Sequence, residues 1–136
     1  MDELSRSQNI SVAGMKAQAE RLRIVAQNLA NAESVGERPG EQPYRRQVIT
    51  FQNAVDRQLG IETVEVNRVR QDMSPFPKEH DPDHPAADAD GYVMMPNVNP
   101  LIELMDLHEA QRSYEANMNA ISVAREMSKK TLELLR

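Results

Sequence analysis

The stretch "NPLIELMDLHEAQRSYEANMNAISVAREMSKKTLELLR", Asn99 to Arg136, decides the fold. Asparagine before proline reads as a helix start. The amide side chain caps the first free N–H groups, and proline at the first helical position gives up only an N–H that would have no helical partner. After Pro100 neither proline nor glycine interrupts the run to Arg136. At 1.5 Å per residue such a helix is about 50 Å long. Apolar side chains recur along it in two heptad rows. Leu104, Met118 and Leu132 form one, with Gln111 and Arg125 between them; Leu107, Tyr114, Ile121 and Leu135 form the other, with Ser128 between. Such rows are the a and d positions of a coiled-coil seam, so this helix requires a partner.

The partner lies at the other end of the chain. In "SVAGMKAQAERLRIVAQNLANA", Ser11 to Ala32, Val12, Ala19 and Ala26 repeat every seven residues, and so do Met15, Leu22 and Leu29. The seam is thin, because alanine fills most of one row. Gly14 lowers helix propensity by about 1 kcal/mol relative to alanine, so it marks either a tolerated defect or a point where another helix comes close. The two helices are expected to pair as an antiparallel, coiled-coil-like hairpin, a terminal helical domain of residues 1–32 and 100–136. Ile24, Val25, Leu101, Met105, Val123 and Met127 then fall on outer faces, as apolar surface for neighbours to cover. Gln111 and Arg125 weaken an isolated pair but fix register in an assembly.

Residues 33–99 follow other rules. "ESVGERPGEQP", 33–43, is a loop by its prolines and glycines. Tyr44 to Phe51 is β-branched and aromatic, and 62–71 alternates through Val64, Val66 and Val69; both predict strands. Residues 74–90, proline-rich and acidic, predict loop, and "GYVMMP" a short last strand. The whole is therefore α+β: long N- and C-terminal helices with a small β-rich module, 33–99, inserted between them.

Composition narrows the function. With no cysteine there are no disulfides, thiolate metal sites or cysteine nucleophiles. No apolar run approaches the roughly 18–20 residues that span a bilayer. The N-terminus is acidic and lacks a continuous apolar stretch, unlike a cleavable secretory signal, so the expected locations are the cytosol or beyond it by a route needing no such signal. The net charge of −5 sits mostly in the middle: residues 33–99 hold twelve acidic and seven basic side chains, while both ends are nearly neutral. No basic cluster suggests nucleic acid.

"DPDHPAADADGYVMMPNVNP", Asp81 to Pro100, resembles a metal site at first reading. His80, Asp81, Asp83, His84, Asp88 and Asp90 are all possible ligands. A calcium loop with Gly91 sixth would need an acidic first residue and a glutamate twelfth, and Ala86 and Asn97 stand there. His80 and His84 are four apart, but Pro82 and Pro85 prevent the helix that would align them for zinc. No catalytic glycine or serine motif is present, Asp88 and Asp90 suit turn capping, and His108 lies beside the helix seam as a packing or surface residue. No cofactor, metal or catalytic residue is expected.

The same loop carries a resemblance. Asp81, Pro82, His84, Pro85, Gly91, Tyr92, Val93, Pro96, Asn97 and Val98 match the D-P-x-H-P-x-A-D-x-x-G-Y-V-x-x-P-N-V run of proximal-rod proteins of the flagellar basal body, within the bacterial flagellar axial protein family. Ala86-Ala87-Asp88 departs from it, the family usually having an acidic residue earlier. The N-terminal helix is similar to the axial motif ending in N-x-A-N through Asn28, Ala30 and Asn31, with Ser34 where threonine is usual. Ala110, Arg112, Tyr114 and Asn117 match the C-terminal A-x-R-x-Y-x-x-N motif.

The resemblance implies a structural subunit exported unfolded by the flagellar type III apparatus and built helically into the drive shaft crossing the periplasm. Its partners would be copies of itself, other rod proteins, the rod-to-membrane-ring adapter and the export apparatus, with no nucleic acid and no direct membrane insertion. Assembly and packing would fall to Met15, Leu22, Asn28, Leu29 and Asn31 in the first helix, and to Leu104, Leu107, Tyr114, Asn117, Met118, Ile121, Leu132 and Leu135 in the last. Pro82, His84, Pro85, Gly91, Tyr92, Pro96 and Asn97 would shape the loop. The alternative is a cytosolic helical-hairpin chaperone or adaptor of a secretion system; a metal-dependent hydrolase is a third class.

Overall fold

A computed structural model describes residues 3–56 and 60–136. Its elements run α1 (Glu3–Ala30), β1 (Gln47–Asp56), β2 (Ile61–Gln71), β3 (Lys78–His80), β4 (Tyr92–Met94) and α2 (Pro100–Leu134). The α+β class stands: two long helices with two small two-stranded sheets between them, β1 with β2 and β3 with β4. The cap read from Asn99-Pro100 forms, with the Leu101 N–H donating to Asn99 Oδ1 at 3.1 Å and the Glu103 N–H to the Asn99 carbonyl at 3.1 Å. At the end of α1, Asn31 turns the chain. Its Nδ2 donates to the Gln27 carbonyl at 2.9 Å, beside its own backbone N–H on the same oxygen at 3.1 Å, and its Oδ1 accepts the Ser34 hydroxyl at 2.9 Å.

The fold packs as two compact units. The first is Met1–Leu22, Ile49–Arg68 and His108–Arg136; the second is Arg23–Val48 and Val69–Leu107. In the first unit α1 and α2 run antiparallel: Gly14 faces Asn117, and seven residues on Arg21 Nη2 meets Glu109 Oε2 at 3.3 Å. The buried side chains here are small or modest: Ser11, Ala17, Ile61, Ala110 and Ala124. The β1–β2 pairing shows in side-chain bonds from Thr50 to the Arg68 carbonyl and from Thr63 to the Ala54 carbonyl. In the second unit the core is Ile24, Val25, Val93, Pro96 and Val98 around the polar Asn28 and Glu103.

The elements and the core depart from the sequence reading at several points. The first strand begins at Gln47, because Tyr44 and Arg46 spend backbone N–H groups on the Ser34 carbonyl and on Asn97 Oδ1. Within the stretch read as loop, Lys78–His80 pairs antiparallel with β4, Glu79 opposite Val93; flanking prolines hid so short a strand. Ile24 and Val25, expected on an outer face, are 2% and 5% exposed. α1 turns a row of small and polar residues inward, and Ile24 and Val25 follow that row into the core.

Candidate assembly site

In the second unit a polar knot ties the last turn of α1, the entry to β1, the exit from β2 and the first turns of α2. Asn28, 1% exposed, sits at its centre. Its Oδ1 accepts the Tyr44 hydroxyl at 2.8 Å and the Gln47 N–H at 3.0 Å; its Nδ2 donates to the Gln47 carbonyl at 2.9 Å and to Glu103 Oε2 at 3.3 Å. The amide thus uses its full hydrogen-bonding capacity without water. Glu103 is fully buried, and its other oxygen accepts from Nε of Arg46. The same guanidinium reaches Asp72 at 3.4 Å and Asp106 at 3.6 Å. Asn97 closes the knot by accepting the Arg46 N–H at 2.7 Å and donating to the carbonyls of Asp72 at 2.9 Å and Ser74 at 3.2 Å.

Burial works against the charge of Arg46, but Glu103 and Asp72 outweigh it and hold the group above its ordinary pKa. Tyr44 is raised by burial and by the negative charge of Glu103. Asp72 is held below the usual carboxylate range by the Ser74 hydroxyl, then by the Ser74 N–H, with Arg46 adding to them.

The loop between β3 and β4 is built from backbone bonds. The Asp81 N–H donates to the Gly91 carbonyl and the Asp88 N–H to the Tyr92 carbonyl, both at 2.9 Å. Asp88 Oδ1 accepts the N–H groups of Tyr92 and Asp90, each at 2.9 Å, which lowers its pKa, the Tyr92 N–H foremost. His84 Nδ1 accepts the Ala86 N–H at 2.9 Å. Gly91 has φ +85°, and a Cβ there would lie 3.1 Å from Pro82 and 3.2 Å from His80, so glycine alone fits. Tyr92 meets the His80 ring edge-on at 5.0 Å. Pro96 is fully buried, whereas Pro85 is exposed. Among the described residues no group of three His, Asp or Glu side chains could hold a metal ion.

The first unit presents an apolar groove of about 410 Å³ between α1 and α2. Met15, Tyr114, Met118 and Ile121 line it, with Lys16 and Arg125 at its edge. Asn117 lies against Gly14: a Cβ on Gly14 would come within 2.9 Å of the Asn117 side chain, so the glycine marks a close helix approach. Leu22 and Leu107 are half-buried, whereas Leu104, Leu132 and Leu135 are exposed. Leu29 lines a second groove, of about 460 Å³, with Pro77, Met95, Pro96 and Val98.

The residues that tie the knot, Tyr44, Arg46, Asp72 and Glu103, do not stand out in the sequence. Glu103 reads there as an ordinary first-turn acid, suited to the helix dipole. One signal was available: Asn28, polar among apolar neighbours on α1, needs buried partners.

Residues 89–134 match the family model described as "Flagellar basal body rod FlgEFG protein C-terminal". The approach to α2 and the helix itself are therefore those of a flagellar rod protein. Over the whole chain and 98% of the relative's length, the sequence is 46% identical to the flagellar basal-body rod protein FlgC of Agrobacterium fabrum. It is 41% identical to the FlgC of Salmonella typhimurium over 93% of each chain, and 36% identical to that of Bacillus subtilis over 94% of this chain and 95% of the relative. The chain belongs to the family of flagellar basal-body rod proteins FlgC, structural components of the basal body.

Proposed function

We propose that this chain is a structural subunit of the proximal rod, exported by the flagellar type III apparatus without a cleaved signal and assembled helically into the drive shaft, with no catalytic role. The observation that carries this reading is the apolar surface left open on a single chain. Leu101, Met105, Val123 and Met127 are each more than half exposed, as are Leu132, Leu134 and Leu135. That much aliphatic surface is costly in water and suits neighbours that cover it. Among the described residues no helix is long and apolar enough to cross a membrane. Copies of the chain, other rod proteins and the adapter to the membrane ring are the neighbours the family suggests. Residues 1–32 and 100–136 supply the helices that pack against them, and 33–99 supplies the β-rich module.

Ile121→Asp tests the reading. Ile121 is half-buried on the groove of the first unit. A carboxylate there, covered by a neighbour without a partner, costs several kcal/mol. Expressed in a deletion strain, the variant chain should be exported, absent from purified basal bodies and unable to restore swimming. Normal motility with Ile121→Asp would mean that this face stays open in the assembly.

A further inference from the structure

We propose that the C-terminal segment 129–136 of one copy docks, leucines first, into an acid-rimmed groove on the second unit of another copy. This contact rests on the rod reading and gives it a specific head-to-tail partner surface.

Two features of the fold define the docking segment. In the first unit Gly14 faces Asn117, and Arg21 pairs with Glu109. Both helices rise equally per residue, so counting outward from Gly14 and Asn117 puts Ser128 opposite Glu3, the first described residue of α1. Leu132, Leu134 and Leu135 are 64%, 86% and 79% exposed. Leu132 and Leu135, three apart, share one face. Around them stand Lys129, Lys130 and Arg136, with Glu133 among them, and Lys130 Nζ also meets Glu126 Oε1 at 3.7 Å on the exposed face.

The receiving surface has the opposite charge. On the second unit the groove lined by Leu29, Met95, Pro96 and Val98 adjoins another of about 280 Å³ lined by Val35, Val93 and Met95, and the two share Glu33 and Met95. Glu33, Glu79 and Asp81 rim them, and no lysine or arginine is among the described lining residues. None of the three carboxylates forms an ion pair among the described residues, and all three residues are exposed. An apolar floor with a rim of unpaired carboxylates takes a leucine face flanked by cations. The groove of the first unit does not, because Lys16 and Arg125 edge it. A contact between two different surfaces of one chain is heterologous, and repeated without closing it generates a helical line of subunits.

Cysteine crosslinking in cells tests the contact, since the chain has no cysteine of its own. Ala32→Cys places a thiol in the groove, and Thr131→Cys places one on the docking segment without altering its leucines or lysines. Treated with a short bismaleimide, basal bodies containing the double variant should yield a ladder of chain multimers, and each single variant should yield none. Lys129→Glu with Lys130→Glu should reduce the ladder at least several-fold, and adding Glu33→Lys with Asp81→Lys should restore it. Basal bodies that contain the double variant but give no ladder, or an adduct with a different rod protein only, would overturn the contact and leave the rod reading standing. A chain missing from basal bodies even as wild type would overturn both.

Discussion

The two units hold the same pair of helices together by opposite means. In the first, the helices come close because what lies between them is small: Gly14, Ala17, Ala110 and Ala124. Large aliphatics such as Met15, Met118 and Ile121 stand at the edges and line an open groove. In the second, a satisfied polar knot replaces the aliphatic seam, with Asn28, Arg46 and Glu103 drawn from three separate segments. Small contacts bring little specificity, since alanine rows slide past one another at low cost. A buried carboxylate matched to one guanidinium and one amide tolerates a single register, because every misaligned register strands a charge. The second unit is therefore suited to fix how the helices meet, and the first to present apolar surface outward.

The largest expected effect breaks the knot. Glu103→Ala leaves the half-buried Arg46 without its closest partner, only Asp72 and Asp106 remaining, and Asn28 with a free donor. Removing one side of a buried pair costs about 3–5 kcal/mol, enough to unfold a chain of this size or nearly so. Glu109, whose side chain is 67% exposed, makes the corresponding ion pair of the first unit with Arg21. Glu109→Ala should cost less than about 1 kcal/mol. Urea unfolding of both variants reads the difference directly. Similar losses would mean that the two units do not differ in the way described.

A smaller effect probes the close approach. Gly14→Ala gains about 1 kcal/mol of helix propensity, but its Cβ would sit 2.9–3.1 Å from the end of the Asn117 side chain. That end can rotate away, at the expense of the Asn117 Nδ2 bond to the Ser113 carbonyl at 2.9 Å. The two contributions nearly offset, so Gly14→Ala should lie within about 1 kcal/mol of wild type. Gly14→Ile cannot be accommodated by one rotation and should cost about 1–3 kcal/mol by overpacking. Thermal melts of the two variants order them, and an isoleucine as stable as the alanine would show the helices to be further apart than Gly14 implies.

Much of this architecture was legible in the sequence. The uninterrupted run after Asn99-Pro100 gave both the start and the extent of α2, and Gly14 marked a possible close approach. The seam was legible only in part: the row of Leu107, Tyr114 and Ile121 is half-buried, but the other row is not. Heptad reading ranks positions by side-chain size, so it selected Leu104, Met118 and Leu132, which the fold leaves 44%, 44% and 64% exposed. The row that turns inward holds Glu103, Ala110, Asn117 and Ala124, also seven apart but invisible to a hydrophobic pattern. The knot was hidden for a related reason. Asn28 and Glu103 stand 75 residues apart, and although Asn28 signals a need for buried partners, nothing in the sequence points to Glu103 as one. Only the fold brings their polar groups to one dry place.

The smallest effect concerns acid. Tyr44, Arg46, Asp72 and Asp88, whose ionisation the fold shifts, all belong to the second unit. Asp72 ordinarily titrates near 3.8, and the folded chain lowers it, mainly through the Ser74 hydroxyl. A carboxyl lowered on folding stabilises the fold fully above its unfolded value, and that share is lost as pH falls through the folded value. Stability should thus hold down to about pH 4 as far as Asp72 is concerned and decline below it. Ser74→Ala removes the hydroxyl donor and leaves the N–H bond to Asp72 at 2.9 Å. The variant should lose about 0.5–1.5 kcal/mol at neutral pH and fall less steeply in acid, because less of its stability depends on Asp72 being ionised. Urea midpoints measured from pH 7 downward separate the two curves, which should converge toward the acid end. Parallel curves would show that the Ser74 hydroxyl does not set the ionisation of Asp72.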